Sequence, residues 1–188
     1  NASWIWWDMP EPIKREMRFA DLIEEKPKCV KWHTAAETRA LLSMMSDVNL
    51  AKVETAKASG VRMVGGLYKR TRLHHGIKVQ RAKVRFDDIA GCLRTPGGGS
   101  SRQLILVIEG DKIRSRLLSA RETARLMGLP DSYVLPAVYN EAYHLTGDGV
   151  AVPVVSYIAK HILEPNLRAY SSVPTPTNRN AKSSGQRT

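Results

Sequence analysis

The sequence predicts an α+β fold, with a small twisted β-unit over about residues 61–117 and helices packed beside it. Alternating apolar and charged residues within 61–86 indicate strands, and the apolar run 104–108 is typical of a buried strand. Thr34 and Ser119 are each followed three residues later by Glu, which is the spacing of a capping box at a helix start. The expected helices span residues 34–58, 119–128 and 150–163.

The first elements follow from local signals along the chain. Residues 17–26 read as a short helical turn. Apolar side chains at helical spacing follow the cap at Thr34, and residues 51–58 either continue that helix or start a second one. Gly60 then ends the helical pattern, because glycine readily adopts the conformation that closes a helix.

The later elements are marked by turns. The sequence His-His-Gly at 74–76 and the sequence Glu-Gly-Asp-Lys at 109–112 each predict a tight turn between two strands. Gly128 is placed to cap the helix that begins after Ser119. The Gly-Asp-Gly of 147–149 is expected to be a loop that leads into a largely apolar helix at 150–163.

The charge balance predicts the class of partner. The 188 residues include 29 Lys and Arg against 18 Asp and Glu, a formal net charge of +11 that favours nucleic acid or an anionic membrane surface. No apolar run approaches the roughly 20 residues of a spanning helix, so we expect no membrane partner. Two cysteines, Cys29 and Cys92, are too few for a disulfide framework and indicate a reducing, cytoplasmic setting.

The ends of the chain differ from its middle in composition. The chain starts at Asn1 without an initiator Met, so we expect a piece of a longer protein whose other motifs lie elsewhere. Residues 170–188 are rich in Ser, Thr, Pro, Asn and Lys and are predicted to be disordered.

Basic residues are concentrated in one segment. Residues 61–86 contain eight Lys and Arg and no acidic residue, whereas an ordinary solvated surface mixes both signs of charge. A basic β-ribbon that contacts nucleic acid is therefore favoured over a merely soluble hairpin. We expect no metal site at His74 and His75, because adjacent histidines on a strand point to opposite faces.

The three glycines of 97–99 raise the question of a phosphate cradle. A P-loop ends in Lys-Ser/Thr and leads into a helix, whereas a strand follows these glycines and no Lys closes the segment. The segment is either a flexible hairpin turn or a loop that fits inside a groove of a nucleic acid. Its candidate donors are Arg94, Thr95, Ser100, Ser101 and Arg102.

Three segments occur in an order that resembles bacterial DNA cytosine-5 methyltransferases. They are QRAKVRFDDIAGCLRTPGGGSSR at 80–102, RLLSARETARLMGLPDSY at 116–133 and AYHLTGDGVAVPVV at 142–155. They resemble the end of the target recognition domain, motif IX and motif X of that family, over about half the chain. The resemblance implies methyl transfer from S-adenosylmethionine to a cytosine flipped out of double-stranded DNA. It also implies a twisted β target-recognition unit whose C-terminal helix packs on a Rossmann-like catalytic domain that is missing here.

The resemblance implies that the catalytic parts lie outside this chain. The family's nucleophile is a Cys after a Pro, whereas Cys29 follows Lys28 and Cys92 follows Gly91. The sequence has no Glu-Asn-Val triplet and no Phe-x-Gly-x-Gly cofactor loop. We therefore expect no catalytic residue here, no tight binding of S-adenosylmethionine to this chain alone, and no activity without a catalytic domain. That domain would belong to the same polypeptide or to a separate subunit of a split enzyme.

The resemblance also implies roles for individual residues. The segment 91–101 would lie beside the flipped cytosine, with Cys92 where the family often has a Thr; the alternative for Cys92 is a small buried residue. Arg121, Glu122 and Arg125 of motif IX are expected to make structural ion pairs. Asp148, Gly149 and Val150 are expected near the cofactor. The residues expected to contact DNA are Arg81, Arg85, Cys92, Arg94, Thr95, Gly97, Gly98, Gly99, Ser100, Ser101 and Arg102.

These expectations divide the chain into four parts and leave two alternatives open. The alternatives are a non-enzymatic nucleic-acid-binding regulator, and a homodimer formed through the apolar C-terminal helix. The parts are a linker from the missing catalytic domain at 1–33, a target recognition domain with the motif IX helix at 34–133, a motif X segment with the C-terminal helix at 134–169, and a tail at 170–188.

Overall fold

The computed structural model describes residues 6–95 and 102–171. A four-stranded antiparallel sheet, ordered β2-β1-β3-β4, forms the centre of the unit Ile13–Pro153. Together with the surrounding helices, this small sheet confirms the predicted α+β class. The strands are β1 (Met63–His74), β2 (Ile77–Arg85), β3 (Leu104–Glu109) and β4 (Lys112–Leu117).

Both predicted strand turns are confirmed, and their backbone explains their sequences. His75 and Gly76 join β1 to β2 with φ of 47° and 79°, the left-handed values of a two-residue turn that suits twisted strands. Gly110, with φ of 58°, begins the turn from β3 to β4. Turn residues therefore set one boundary of each of the four strands.

The segment predicted at 34–58 forms two helices, α1 (Ala35–Ser43) and α2 (Asp47–Ala58). The predicted capping box is present, since Thr34 Oγ1 accepts from the Glu37 N–H at 3.2 Å and Glu37 accepts from the Thr34 N–H at 2.7 Å. The helices are separated where the Met44 carbonyl accepts a bond from the Ala82 N–H of β2 at 3.0 Å.

The sheet is covered on both faces. Strand β3 is buried from Leu104 to Ile108, which is why its sequence is continuously apolar rather than alternating. One face packs against α1 and α2 through Leu41, Met45, Val53, Leu67, Ala82, Val84 and Leu106. The other face packs against the 3₁₀ turn Phe19–Leu22 and nearby segments through Phe19, Ile23, Val64, Ile105, Val107 and Leu118.

Helix α3 (Ala120–Leu126) is the helix predicted from Ser119 to Gly128. Its capping box is formed by Ser119 and Glu122, and Gly128 follows it with φ of 78°. A β-carbon on Gly128 would lie 2.4 Å from Cδ of Pro153. A glycine is therefore required there both for its backbone conformation and for the close approach of Pro153.

Helix α4 (Tyr139–Asp148) was not predicted, and it corrects the expectation that 147–149 is a loop. Gly147 and Asp148 lie in its last turn, and only Gly149 follows in an extended conformation. The helix buries Ala142 and Tyr143 completely. Tertiary packing therefore outweighs the low helix propensity of Gly147, which is about 1 kcal/mol below that of alanine.

The second unit contains the described residues 6–12 and 154–171. The helix predicted at 150–163 begins as α5 (Val152–Ile158), continues through a π-helical stretch Ala159–Leu163 and ends as α6 (Glu164–Ser171). Pro165 cannot donate a backbone hydrogen bond, which fits a widened turn before it. Tyr170 and Ser171 are helical, so the disorder predicted from residue 170 is wrong for these two; residues 172–188 lie outside the described residues.

Within the described ranges, we find no helix with the length and apolar character needed to cross a membrane.

Candidate nucleic-acid interface

The β1–β2 hairpin extends past the end of strand β3. Strand β1 pairs with β3 only from Met63 to Leu67, but it pairs with β2 as far as His74. Residues 68–83, which we call the ribbon, therefore continue as a two-stranded extension of the sheet. Seven residues of strand at about 3.3 Å each give the ribbon a length of about 23 Å.

One face of the ribbon is basic. Directly paired residues point to the same side of a hairpin, and Arg70 pairs with Arg81 while Tyr68 pairs with Lys83. Arg72 lies two residues along from Arg70 and shares its side. The Arg70 guanidinium lies 5.2 Å from the centre of the Tyr68 ring. We call Arg70, Arg72, Arg81 and Lys83 the basic face, and all four side chains are exposed.

The charges of the basic face are not neutralised within the described part of the chain, where no salt bridge involves any of its four side chains. Two like charges directly opposite each other, as at Arg70 and Arg81, destabilise a hairpin. The opposite side of the ribbon carries Ala82, which is buried against Met45 in the core. The arrangement presents unpaired cations to solvent, which suits a polyanion.

Arg85 differs from the basic face because a carboxylate already holds it. Its Nε lies 3.0 Å from Asp87 Oδ2, and both side chains are partly exposed. This hydrogen bond raises the pKa of Arg85 and lowers the pKa of the Asp87 carboxyl below its ordinary value. Arg85 would therefore have to share or leave Asp87 in order to bind a phosphate.

The segment after β2 is seated on the sheet through Gln103. The Gln103 side chain is 4% exposed, and its Nε2 donates to the Leu67 carbonyl at 3.2 Å. A β-carbon on Gly91 would lie 2.4 Å from Gln103 Oε1, so the backbone at residue 91 rests directly on this amide. The buried Gln103 amide thus supports the backbone that leads from Gly91 to Cys92 and Arg94.

We expect Gly91→Ala to lower the free energy of unfolding by about 1–3 kcal/mol, because the new methyl group has no room beside the buried Gln103 amide. The measurement is urea unfolding of both single variants and of the double variant with Gln103→Ala. The Gly91→Ala cost should shrink when Gln103 is already truncated. Equal costs in both backgrounds would show that Gln103 is not the obstacle.

The position of Cys92 corrects one alternative considered from the sequence, a small buried residue. Both cysteines are free thiols on exposed residues, so Cys92 is not the small buried residue considered above. Its Sγ donates weakly to the Leu93 carbonyl at 3.4 Å. Arg94 is also exposed. Both side chains are therefore accessible to a partner.

Thr95 lies against the last turn of α4. Its hydroxyl donates to a carboxylate oxygen of Asp148. A β-carbon on Gly147 would lie 2.9 Å from the Thr95 backbone nitrogen, so the two backbones are in close contact. The structure thus brings together a residue predicted to contact DNA and one predicted to lie near the cofactor.

Arg102 lies near the first turn of the same helix. Its Nη2 donates to Asn140 Oδ1 at 2.5 Å, and its guanidinium lies 5.4 Å from the centre of the Tyr139 ring. The neighbouring Gln103 N–H donates to the Tyr143 hydroxyl at 2.9 Å. Burial raises the pKa of both tyrosines.

Arg121, Glu122 and Arg125 make the structural contacts that were predicted for them, with one difference. Glu122 forms a buried ion pair with Arg116, and Arg125 pairs with Asp131 at 2.7 Å. The Asp131 hydrogen bond raises the pKa of Arg125 and lowers that of Asp131. Arg121 donates instead to the carbonyls of Pro130 and Tyr133, so it makes no predicted ion pair among the described residues.

Of the remaining residues predicted to contact DNA or to lie near the cofactor, the structure describes only some. Gly97, Gly98, Gly99, Ser100 and Ser101 lie outside the described residues. Gly149 follows α4, and a β-carbon there would lie 2.9 Å from the Leu145 carbonyl oxygen. Val150 is 67% exposed.

Arg70, Arg72 and Lys83 were expected to contact nucleic acid only as part of the basic segment 61–86, and the two-residue turn could have shown that they share one face with Arg81 by fixing the strand register. Two other residues of the site were missed. Gln103 and Asn140 carry no comparable signal in the sequence, since their contacts join segments far apart in the chain.

Several known proteins are similar to this chain in sequence. The Type II methyltransferase M.HpaII of Haemophilus parainfluenzae is 29% identical over 168 residues, which cover 82% of this chain and 40% of that protein. The Type II methyltransferase M1.ScrFI of Lactococcus lactis subsp. cremoris is 37% identical over 59 residues, 31% of this chain and 15% of that protein. DNA (cytosine-5)-methyltransferase CMT2 of Oryza sativa subsp. japonica is 35% identical over 72 residues, 38% of this chain and 5% of that protein.

The chain thus spans less than half the length of these relatives. The family described as C-5 cytosine-specific DNA methylase matches residues 6–164, which is most of the chain. The resemblance noted in the three sequence segments is confirmed at the level of the family. On this match, the chain belongs to the C-5 cytosine-specific DNA methylase family.

Proposed function

We propose that this chain is the target-recognition and C-terminal region of a DNA (cytosine-5)-methyltransferase, which transfers a methyl group from S-adenosylmethionine to cytosine in double-stranded DNA. Family membership supports the reaction, and the exposed basic face is the observation that carries the role in DNA binding. The division into a linker, a recognition domain, a motif X segment and a tail is part of this proposal.

The basic face supplies affinity in this proposal. Phosphate contacts from Lys and Arg hold and orient a protein on DNA without reading its sequence. A two-stranded ribbon also fits the major groove of B-DNA, which is about 12 Å wide. Arg70, Arg72, Arg81 and Lys83 would therefore bind the phosphates that flank the groove.

The segment 91–102 supplies selectivity in this proposal. Its exposed Arg94 and its helix-anchored Arg102 lie on opposite sides of the three glycines in the sequence. An arginine that bonds both acceptors of a guanine discriminates by about 1–3 kcal/mol, and a glycine backbone approaches base edges closely. Cys92, Ser100 and Ser101 would add weaker polar contacts, whereas the Thr95 hydroxyl is held by Asp148.

The chemistry would be carried out by a partner domain. Neither cysteine has the preceding proline of the family's nucleophile, so the thiolate and most of the cofactor site would come from a Rossmann-like domain of the same polypeptide or of another subunit. Asp148, Gly149 and Val150 would complete the cofactor site.

The C-terminal helix would pack on that domain. No residue of α5, of the π-helical stretch or of α6 is buried, and apolar side chains including Val154, Val155, Ile158 and Leu167 are exposed. Such an apolar surface is typical of an interface. A second copy of the chain is the alternative cover, and a clean monomer in sedimentation at high concentration would argue against it.

We expect the chain to bind double-stranded DNA more tightly than single-stranded DNA or RNA of the same length, and to transfer no methyl group alone. Fluorescence anisotropy measures the binding, and transfer of radiolabel from S-adenosylmethionine measures the activity. A supplied domain with the Pro-Cys and glycine-rich motifs should restore transfer. Preference for single strands or RNA would favour a non-enzymatic regulator, and transfer by the chain alone would refute the division of roles.

A further inference from the structure

Helix α4 is attached at its two ends to Thr95 and Arg102, which lie on either side of positions 96–101. On one side, Thr95 donates to Asp148 and the Thr95 backbone touches Gly147 in the last helical turn. On the other side, Arg102 donates to Asn140 in the first turn. The ten residues of α4 span about 15 Å. A single rigid helix therefore connects the two residues that border positions 96–101.

The contact at Gly147 is specific to the backbone. An added β-carbon would lie 2.9 Å from the Thr95 nitrogen and 3.1 Å from the Arg94 carbonyl carbon. Backbone atoms cannot rotate away as a side chain can, so the positions of residue 95 and of the end of α4 depend on each other. This contact and the Thr95–Asp148 hydrogen bond are two separate observations of one junction.

The segment after α4 is held at both of its ends. Asp148 is bonded to Thr95, and the Val152 N–H donates to the Met127 carbonyl at 2.9 Å. Residues 149–151 therefore bridge an anchor at Thr95 and an anchor at Met127, just after the end of α3. Any displacement of Asp148 must be taken up within these three residues, two of which are proposed to contact the cofactor.

We propose that α4 couples DNA contact at Arg94 and Arg102 to the position of residues 148–150, and that Thr95 is the positioning residue at the junction. The inference rests on the proposed function for the identity of the two ligands. DNA that contacts Arg94 and Arg102 shifts or holds Thr95, and Thr95 holds Asp148. Because coupling between two sites is reciprocal, bound cofactor then strengthens DNA binding by the same factor as bound DNA strengthens cofactor binding.

The test measures hydrogen exchange of the whole chain with and without saturating double-stranded DNA. In the wild type, we expect DNA to slow amide exchange in peptides that cover residues 148–152 by about fivefold, the lower end of ordinary couplings. Thr95→Val removes the hydroxyl and should abolish this slowing while DNA still binds. Asp148→Ala should do the same, and Asp148→Asn should retain the effect because its amide oxygen still accepts.

A matched control is Thr55→Val, which removes an exposed hydroxyl bonded only within α2 and should leave the response unchanged. Failure of the wild type to bind DNA would refute the proposed function itself. DNA binding without slower exchange at 148–152 would overturn the coupling alone. Persistence of the slowing in Thr95→Val would also overturn it, because the proposal assigns the coupling to the hydrogen bond from the Thr95 hydroxyl to Asp148.

Discussion

Replacement of Glu122 with alanine is expected to lower the free energy of unfolding by about 3–5 kcal/mol, the usual cost of removing one partner from a buried ion pair. The side chains of Glu122 and Arg116 are both fully buried, and their closest atoms are 2.6 Å apart. Without Glu122, the Arg116 guanidinium would stay in the interior without its counter-charge.

Glu122 also satisfies two backbone donors, which adds to the expected loss. It accepts from the N–H groups of Ser119 and Glu24, both at 2.7 Å. Arg116 in turn donates to the Glu24 carbonyl at 2.8 Å and lies over the Trp32 ring. The pair therefore joins β4, the start of α3 and the segment around residue 24.

Urea unfolding monitored by tryptophan fluorescence would measure this effect. Glu54→Ala is the matched control, because Glu54 pairs with Lys57 on the surface of α2 and its loss should cost at most about 0.5 kcal/mol. The role of the pair would be contradicted if the free energy of unfolding of Glu122→Ala lay within about 1 kcal/mol of the wild-type value, since a loss of at least about 3 kcal/mol is expected.

Neutralising the basic face is expected to weaken DNA binding steeply without weakening the fold. The variant carries glutamine at Arg70, Arg72, Arg81 and Lys83. Each lost phosphate contact reduces the slope of log affinity against log salt by about 0.9, so the slope should become shallower by about 3 to 4. Because phosphate contacts do not read sequence, affinity should fall alike for all DNA duplexes.

The same variant should unfold no more easily than the wild type, because it removes the unfavourable pairing of Arg70 with Arg81. Its matched control carries glutamine at four exposed cations outside the ribbon, Lys26, Lys28, Lys31 and Arg39. The control and the basic-face variant therefore have the same net charge. An equal loss of salt dependence in the control would show that only total charge matters, and would remove the ribbon from the interface.

The sequence determined the features whose causes are local. Capping boxes at Thr34 and Ser119 place helix starts, and turn residues at His75–Gly76 and Gly110 place strand ends, because each depends on neighbours within four positions. The excess of Lys and Arg in residues 61–86 likewise needs no structure to be recognised. These signals were sufficient for the fold class, whereas the family was indicated by the resemblance of three ordered segments, at 80–102, 116–133 and 142–155.

Tertiary structure alone decided the rest, because those features depend on contacts between distant positions. The break between α1 and α2 lies where the Met44 carbonyl accepts a bond from Ala82, and the last turn of α4 packs at Gly147 against residues 94–95. Strand register brings Arg70 opposite Arg81, and the Thr95–Asp148 bond spans 53 positions in the chain. Local propensity and composition carry no information about which distant residues pair. These contacts can therefore be identified only from the folded structure.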